Sequence, residues 1–164
     1  MSRRREKMKG RRETGGFLAM PHSVMDSPNF KALSGSAVKV LLTIARQYNG
    51  RNNGDLGASF TVMRPCGIRS PVTLHHAIRE LKHYGMIELT RQGGRCGEPS
   101  LYALTWRVID ECKGKLDVAD TAMPSRLWRQ ECEPFARTKK IKKGCTVSVS
   151  HRYINCISDA QKAA

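Results

Sequence analysis

The feature that most constrains the fold is a helix whose start, buried face and end are all specified within residues 70–87, SPVTLHHAIRELKHYGMI. Ser70 is a preferred N-cap residue, and Pro71 follows at the first helical position, where a missing N–H costs nothing. Gly85 stands where a left-handed residue commonly ends a helix. Between them, apolar residues recur at the i, i+3, i+4, i+7 spacing of one buried face: Leu74, Ala77, Ile78 and Leu81. The pattern predicts an amphipathic helix over 71–84.

The other side of this helix is rich in hydrogen-bond donors. At about 100° per residue, the side opposite the apolar stripe carries His76, Arg79 and His83. It is flanked on one edge by His75 and Lys82, and on the other by Thr73 and Glu80. Arg69 and Ser70 lie at the N-terminal tip, where the helix dipole favours a phosphate. Arg and His can bind base edges, and Ser or Thr can bind phosphate, so this face is a candidate DNA-binding surface, although a solvated helix face would look similar.

The flanking segments predict the other elements of a small α+β fold. Ser34 is a candidate N-cap for a core helix over 38–48, in which Val38, Leu41, Leu42 and Ala45 form the buried stripe, widened by Val40, Ile44 and Tyr48. Short helices are expected around 23–26 and 61–66, and a short extended segment around 56–59. MIELTR and LYALTW alternate as strands of a hairpin whose Gly-rich turn is flanked by Arg91 and Arg95. This order predicts a winged helix-turn-helix, with a three-helix core and a β-hairpin wing.

Charge divides the chain into three parts. The formal net charge is +15 and the pI about 10.0, which favours a polyanionic partner such as nucleic acid. Residues 1–12 carry a net +6, and 111–164 carry +5 with no clean periodicity. We therefore predict a flexible basic arm over 1–16, a winged-helix domain over 17–110, and a loosely ordered basic extension over 111–164.

The residues of this helix also carry a resemblance. SPVTLHHAIRELKHYGMI resembles the recognition-helix-to-wing segment of bacterial winged-helix regulators, and the resemblance implies that Ser70, Thr73 and His75 face DNA. Such regulators often have Arg where His75 stands. The stretch over roughly 17–107 is similar to small winged-helix proteins of phages, plasmids and other mobile elements, some described as replication-initiator-like. The resemblance implies a role in transcription regulation or DNA replication of such an element.

Other kinds of chemistry find little support in the sequence. His76 and His83 share a helix face near which Cys66 or Cys96 is a conceivable further ligand, but no CxxC or i, i+4 ligand pair is present, so no metal is expected. No catalytic Cys–His pair with an orienting carboxylate and no phosphate-binding Gly-rich loop is evident, so we expect no enzyme activity and no cofactor. No cysteines have the spacing of a CxxC or zinc-knuckle motif, so we expect them to be reduced thiols. Neither a signal peptide nor a membrane span is seen in the sequence, and both observations favour a cytoplasmic protein.

The sequence therefore predicts sequence-specific binding of double-stranded DNA. Arg69, Ser70, Thr73, His75, His76 and Arg79 would address the major groove, and Arg91 and Arg95 the backbone. A homodimer is left open. Two alternatives also stay open: a protein-interaction module that docks a partner through 111–164, where Leu127 and Trp128 are expected to be exposed, and an RNA-binding protein that uses its basic arms.

Overall fold

The structure of the protein is a computed structural model that describes residues 16–94 and 97–136. The predicted basic arm lies outside the described residues except for Gly16, and so do Arg95 and the end of the C-terminal extension, residues 137–164. No helix within the described ranges is long and apolar enough to cross a membrane.

The described chain is a mixture of short helices and one small sheet, so the predicted α+β class is confirmed. In chain order the elements are α1 (His22–Met25), α2 (Pro28–Lys31), α3 (Gly35–Ala45), β1 (Leu56–Gly57), α4 (Phe60–Met63), α5 (Pro71–His83), β2 (Ile87–Arg91) and β3 (Leu101–Leu104), followed by 3₁₀ turns at Cys112–Gly114 and Leu127–Arg129. All strand pairs are antiparallel, and the strand order is β1-β3-β2.

Local signals set the helix boundaries. The Ser34 hydroxyl accepts a hydrogen bond from the Ala37 N–H at 3.3 Å and so caps α3. Pro71 begins α5, whereas the Ser70 side chain makes no capping hydrogen bond. Gly85 ends α5 with φ +63°, and a Cβ added there would lie 2.6 Å from the Leu127 carbonyl carbon. Gly85 is therefore required both by its backbone conformation and by the close approach of the later chain.

Helix α3 buries a stripe that is rotated from the predicted one. Leu42 is 43% exposed and Val38 is only partly buried, so their placement at the centre of the stripe is wrong. The fully buried positions are Ala37, Val40, Leu41 and Ile44. These residues face α5 and β1, which pack on that side of α3. The partner elements, and not the spacing alone, decide which of two overlapping apolar stripes is buried.

The chain after the sheet turns back along it. The Asp117 N–H donates to the Thr90 carbonyl at 2.9 Å, and the Arg126 N–H donates to the Thr105 carbonyl at 2.9 Å. Asn53 lies on the same side, fully buried, with its amide donating to the carbonyls of Leu104 and Val108. Asp117, Arg126 and Trp128 of the extension are therefore held against the domain, although most side chains between residues 111 and 136 are exposed. The sequence pattern did not predict this path, because the segment is held by backbone hydrogen bonds and not by an apolar stripe.

Residues 128–135, which we name the strap, continue this packing around the end of α5. Trp128 is only 6% exposed and belongs to the core. The buried Asn29 amide of α2 donates to the Gln130 carbonyl at 2.7 Å and the Trp128 carbonyl at 3.1 Å, and lies 3.3 Å from the Tyr84 carbonyl. The expectation of an exposed Trp128 is wrong because this side chain anchors the strap.

Candidate nucleic-acid interface

Helix α5 presents an outward face that is rotated by roughly 50° from the predicted one, at 100° per residue. Leu74, Ala77 and Leu81 are buried as predicted, but Glu80 is buried with them at 7% exposure, so its predicted place on the outer edge is wrong. The exposed residues of the helix past Pro71 are Val72, His75, Arg79, Lys82 and His83. His75 and Arg79 therefore lie at the centre of the outward face, and His76 lies at its edge.

Glu80 is buried because it joins α5 to the start of α3. Its carboxylate accepts hydrogen bonds from the Ser34 N–H at 2.5 Å and from the Ser34 hydroxyl at 2.8 Å. The same hydroxyl caps α3 through the Ala37 N–H. Hydrogen bonds to a charged acceptor are stronger than those between neutral groups. This contact fixes the rotation of α5 about its axis and therefore decides which of its side chains face solvent.

A groove of about 620 Å³ lies where the N-termini of α3 and α5 meet. Its polar lining includes Ser36, Lys39, Arg69, Ser70, Thr73 and His76. Neither helix has an acidic residue in its first turn, and the α5 N-terminus lacks a side-chain cap. Unpaired N–H groups, the helix dipole and two cationic side chains make the groove suited to an anion. Glu80, the acid at its inner wall, is engaged by Ser34.

Lys39 lies across the tight turn that precedes α5. Its Nζ would be 2.6 Å from a Cβ added at Gly67, which has φ +86°. Gly67 therefore allows the ammonium group to approach the turn that carries Arg69. Sequence reasoning missed Lys39 and Ser36 because they belong to α3, for which only the buried apolar stripe led to a prediction. The i, i+3 spacing of Ser36 and Lys39 on that side was the available signal.

His76 lines the groove and is only partly exposed. Its Nδ1 atom is buried and has no hydrogen-bond partner within the described part of the chain. Its ring lies edge-on to that of His75, with centroids 6.3 Å apart. Of the two histidines, His75 is therefore the more exposed, and His76 lines the groove with its Nδ1 atom buried.

The predicted wing arginines are placed differently from each other. Arg95 lies outside the described residues. Arg91 lies at the end of β2, where its guanidinium donates to the Pro99 carbonyl at 3.4 Å and the Lys115 carbonyl at 3.5 Å, and lies 4.0 Å from the Glu98 carboxylate. The Arg91 guanidinium therefore joins the base of the hairpin to the extension, with only 20% of its side chain exposed.

The C-terminal half of α5 is contacted by the strap. The Phe135 N–H donates to the Tyr84 hydroxyl at 3.0 Å, and the Phe135 ring lies 5.4 Å from the His83 ring. His83 Nε2 is 2.7 Å from the Glu133 carbonyl. The Arg79 guanidinium lies over the Phe135 ring, 5.9 Å from its centroid. The N-terminal half of the outward face, with Val72 and His75, is outside these contacts.

Within residues 16–94 and 97–136, no three His, Cys, Asp or Glu side chains converge as a metal-ligand set. Comparison with known proteins returned no match: no protein family, no curated protein and no solved structure is significantly similar to the chain.

Proposed function

We propose that the protein is a cytoplasmic winged-helix protein that binds double-stranded DNA in a sequence-specific manner. The observation that carries the proposal is the outward face of α5, where Val72 and His75 are exposed beside a groove lined by Lys39 and Arg69. Base-contacting groups and phosphate-binding groups then lie next to each other on one side of the molecule. That adjacency is what a helix needs in order to enter the major groove between two backbones.

The order of the elements supports the same reading. In a winged helix-turn-helix, the helix after the tight turn enters the major groove, and the following hairpin lies along the neighbouring backbone. Here α5 follows the turn at Gly67 and precedes the β2–β3 hairpin, and α3 packs against α5. Strand β1 comes between α3 and α4 in the chain and pairs with β3.

Three exposed residues form the base-reading row. Val72, His75 and Arg79 are spaced i, i+3, i+7 and lie on one side of α5. The imidazole of His75 donates to a base acceptor, and the guanidinium of Arg79, once it turns away from the Phe135 ring over which it lies, suits guanine O6 and N7. Val72 is 65% exposed, and its methyl groups suit the thymine 5-methyl. Val72 was not among the sequence-predicted contacts, since it is apolar but outside the buried stripe.

The groove supplies the backbone contact. Lys39 and Arg69 would neutralise a phosphate seated at the α5 N-terminus, with Ser36, Ser70, Thr73 and His76 as further donors. The net charge of +15 adds a long-range attraction of the same sign. Phosphate contacts position the helix on any sequence, and the base-reading row then discriminates between sequences.

Selection of bound duplexes from a random pool, followed by sequencing, tests the proposal. His75→Ala is expected to lose preference at one base pair and to weaken the selected site by about 1–3 kcal/mol, with little change on random duplex. His22→Ala, which removes an exposed histidine of α1, is the matched control and is expected to leave the selected sequences unchanged. Failure to enrich any sequence, or equal weakening of specific and random duplex by His75→Ala, contradicts base reading by α5.

Salt-dependent binding tests the groove separately. Lys39→Gln and Arg69→Gln are each expected to lower the slope of log K against log salt by about 0.9, equally on all sequences. Lys31→Gln, at an exposed lysine of α2, is the control and should change the slope less. Unchanged slopes in both groove variants would remove the groove from the interface.

The biological setting follows from the resemblance alone. We infer a regulator of transcription or of replication initiation in a mobile element, without catalytic activity, cofactor or resident metal of its own. A reporter driven from a promoter that carries the selected site distinguishes repression from activation. The protein-docking alternative has lost its main support, since Trp128 is buried.

A further inference from the structure

Residues 133–135, the last three of the strap, contact the outward face of α5, and we name them the latch. The Arg79 guanidinium lies over the Phe135 ring, 5.9 Å from its centroid. His83 Nε2 is 2.7 Å from the Glu133 carbonyl. Because Arg79 belongs to the base-reading row, the latch occupies a side chain that the proposed function assigns to DNA.

A major groove that holds α5 has no room for the latch as well. The major groove of B-DNA is about 12 Å wide, and an α-helix with its side chains is about 10–12 Å across. The Phe135 ring over Arg79 would have to lie between the helix and the base edges. Arg79 therefore reaches a base only after the Phe135 ring has moved away.

The charge of the strap also opposes DNA binding. Its two acidic residues, Glu131 and Glu133, are exposed, and Arg129 is its only cation. A helix in the major groove lies between two phosphate backbones. Carboxylates held beside α5 would be close to those phosphates and would repel them. The position and the charge of the closed latch therefore both disfavour the complex with DNA.

The two ends of the strap are held differently. Trp128 is buried in the core, and the carbonyls of Trp128 and Gln130 accept hydrogen bonds from the buried Asn29 amide. The latch is held at the surface, where the Phe135 N–H donates to the Tyr84 hydroxyl at 3.0 Å and the Phe135 ring is only partly buried. Local opening requires least free energy where buried contacts are few. The latch can therefore open while the strap stays anchored at Trp128.

We propose that the latch is autoinhibitory: in the free protein it covers Arg79, and it opens before α5 binds DNA with its whole outward face. The inference rests on the proposed function and adds a regulation of the same site. Since only the open form offers Arg79 to a base, closure of the latch raises the apparent dissociation constant for the duplex. By thermodynamic reciprocity, binding of the duplex favours the open latch.

Binding of the selected duplex by two release variants of the full chain tests this. Tyr84→Phe removes the hydroxyl that binds the Phe135 N–H, and Phe135→Ala removes the ring under Arg79. Each lost contact favours closure by roughly 2–10-fold, so each variant should bind the duplex about 2–10-fold more tightly. Tyr48→Phe, which removes a phenol hydroxyl away from α5, is the matched control and should bind like the wild type.

Alkylation of Cys132, followed by peptide mass spectrometry, reports the opening of the latch directly. The Cys132 Sγ atom lies next to the latch, 3.4 Å from the His83 carbonyl. Its alkylation rate should rise in both release variants without DNA, and it should rise in the wild type when the duplex is added. Cys112, whose Sγ atom is 3.9 Å from the Asn53 carbonyl, is the internal control and should keep its rate.

The latch is overturned if both release variants bind the duplex no more tightly than the wild type. Weaker binding would show that Phe135 positions Arg79 for the base and does not block it. A rate of Cys132 alkylation that stays the same or falls when the duplex is added overturns the latch as well. Thermal melts show whether the variants fold, and Tyr84→Phe decides the matter if Phe135→Ala does not.

These outcomes also separate the latch from the proposed function. If neither the wild type nor a release variant selects any duplex, the proposed function has failed, and the latch with it. If the wild type selects a duplex that the release variants bind no more tightly, only the latch has failed.

Discussion

Removal of the Glu80 carboxylate is predicted to destabilise the fold strongly, although this residue looks like a surface position in the sequence. The carboxylate accepts two hydrogen bonds from Ser34 and is 7% exposed. Hydrogen bonds to a charged group contribute about 1.5–3 kcal/mol each, and desolvation of the carboxylate offsets part of this. Glu80→Ala also leaves the Ser34 N–H unpaired, so we expect a loss of about 3 kcal/mol in the free energy of unfolding.

Urea denaturation at pH 7 measures this loss, and a thermal melt should show a fall in Tm of about 12 °C. Glu80→Gln is the matched control, because its amide oxygen can still accept from the Ser34 N–H, and it should cost about 1 kcal/mol. A Glu80/Ser34 double-mutant cycle should give a coupling of about 1–2 kcal/mol. A loss below about 1 kcal/mol for Glu80→Ala would refute the inward orientation of Glu80 and, with it, the assigned outward face of α5.

Three further predictions concern two buried asparagines and one cysteine. Asn53→Ala should lower the free energy of unfolding by about 3–5 kcal/mol, because the fully buried side-chain amide forms hydrogen bonds with both the N–H and the carbonyl of Leu104. Urea denaturation of this variant measures the loss, and a loss near zero contradicts the prediction. Asn29→Ala should free the strap, seen as faster proteolysis after residue 128 with the rest of the domain intact; equal cleavage rates would argue against this tether. Burial raises the pKa of the Cys112 thiol, and the nearby carboxylate of Asp55 raises it further. The rate of Cys112 alkylation should therefore reach half of its maximum at a higher pH in the folded protein than in urea, and equal midpoints would contradict this.

Local signals predicted the parts of the fold that local physics determines. Ser34, Pro71 and Gly85 act within one helical turn of their own position, and all three mark the helix boundaries that they predicted. Alternation in MIELTR and LYALTW predicted a hairpin, which the structure contains, although β3 is buried at all four of its positions. Such features need no knowledge of distant partners.

The parts that were wrong depend on distant partners. Val38 and Leu42 fit a helical stripe as well as Ala37 does, and only the packing of α5 decides between them. Glu80 is polar and was placed outside because its buried partner, Ser34, lies 46 residues earlier. The strap has no periodicity, since it is tied by the side chain of Asn29, about a hundred residues away.

In the candidate interface, too, the features set by local sequence were predicted and those set by distant partners were not. His75 and Arg79 are exposed on α5, where the helix pattern placed them near the outside. Lys39 joins Arg69 only because the N-terminal parts of α3 and α5 line the same groove. The sequence did not mark Val72 as a contact, because single apolar residues outside a buried stripe are common on protein surfaces.

Mapping of the amide chemical-shift changes of the full chain on addition of its selected duplex tests the central claim most directly. The account predicts that the largest changes fall on Lys39, Arg69, Val72 and His75, with small changes around Tyr48 and Arg107, which line a groove away from α5. Changes concentrated around Tyr48 and Arg107, with α5 and the Lys39–Arg69 groove unaffected, would contradict it.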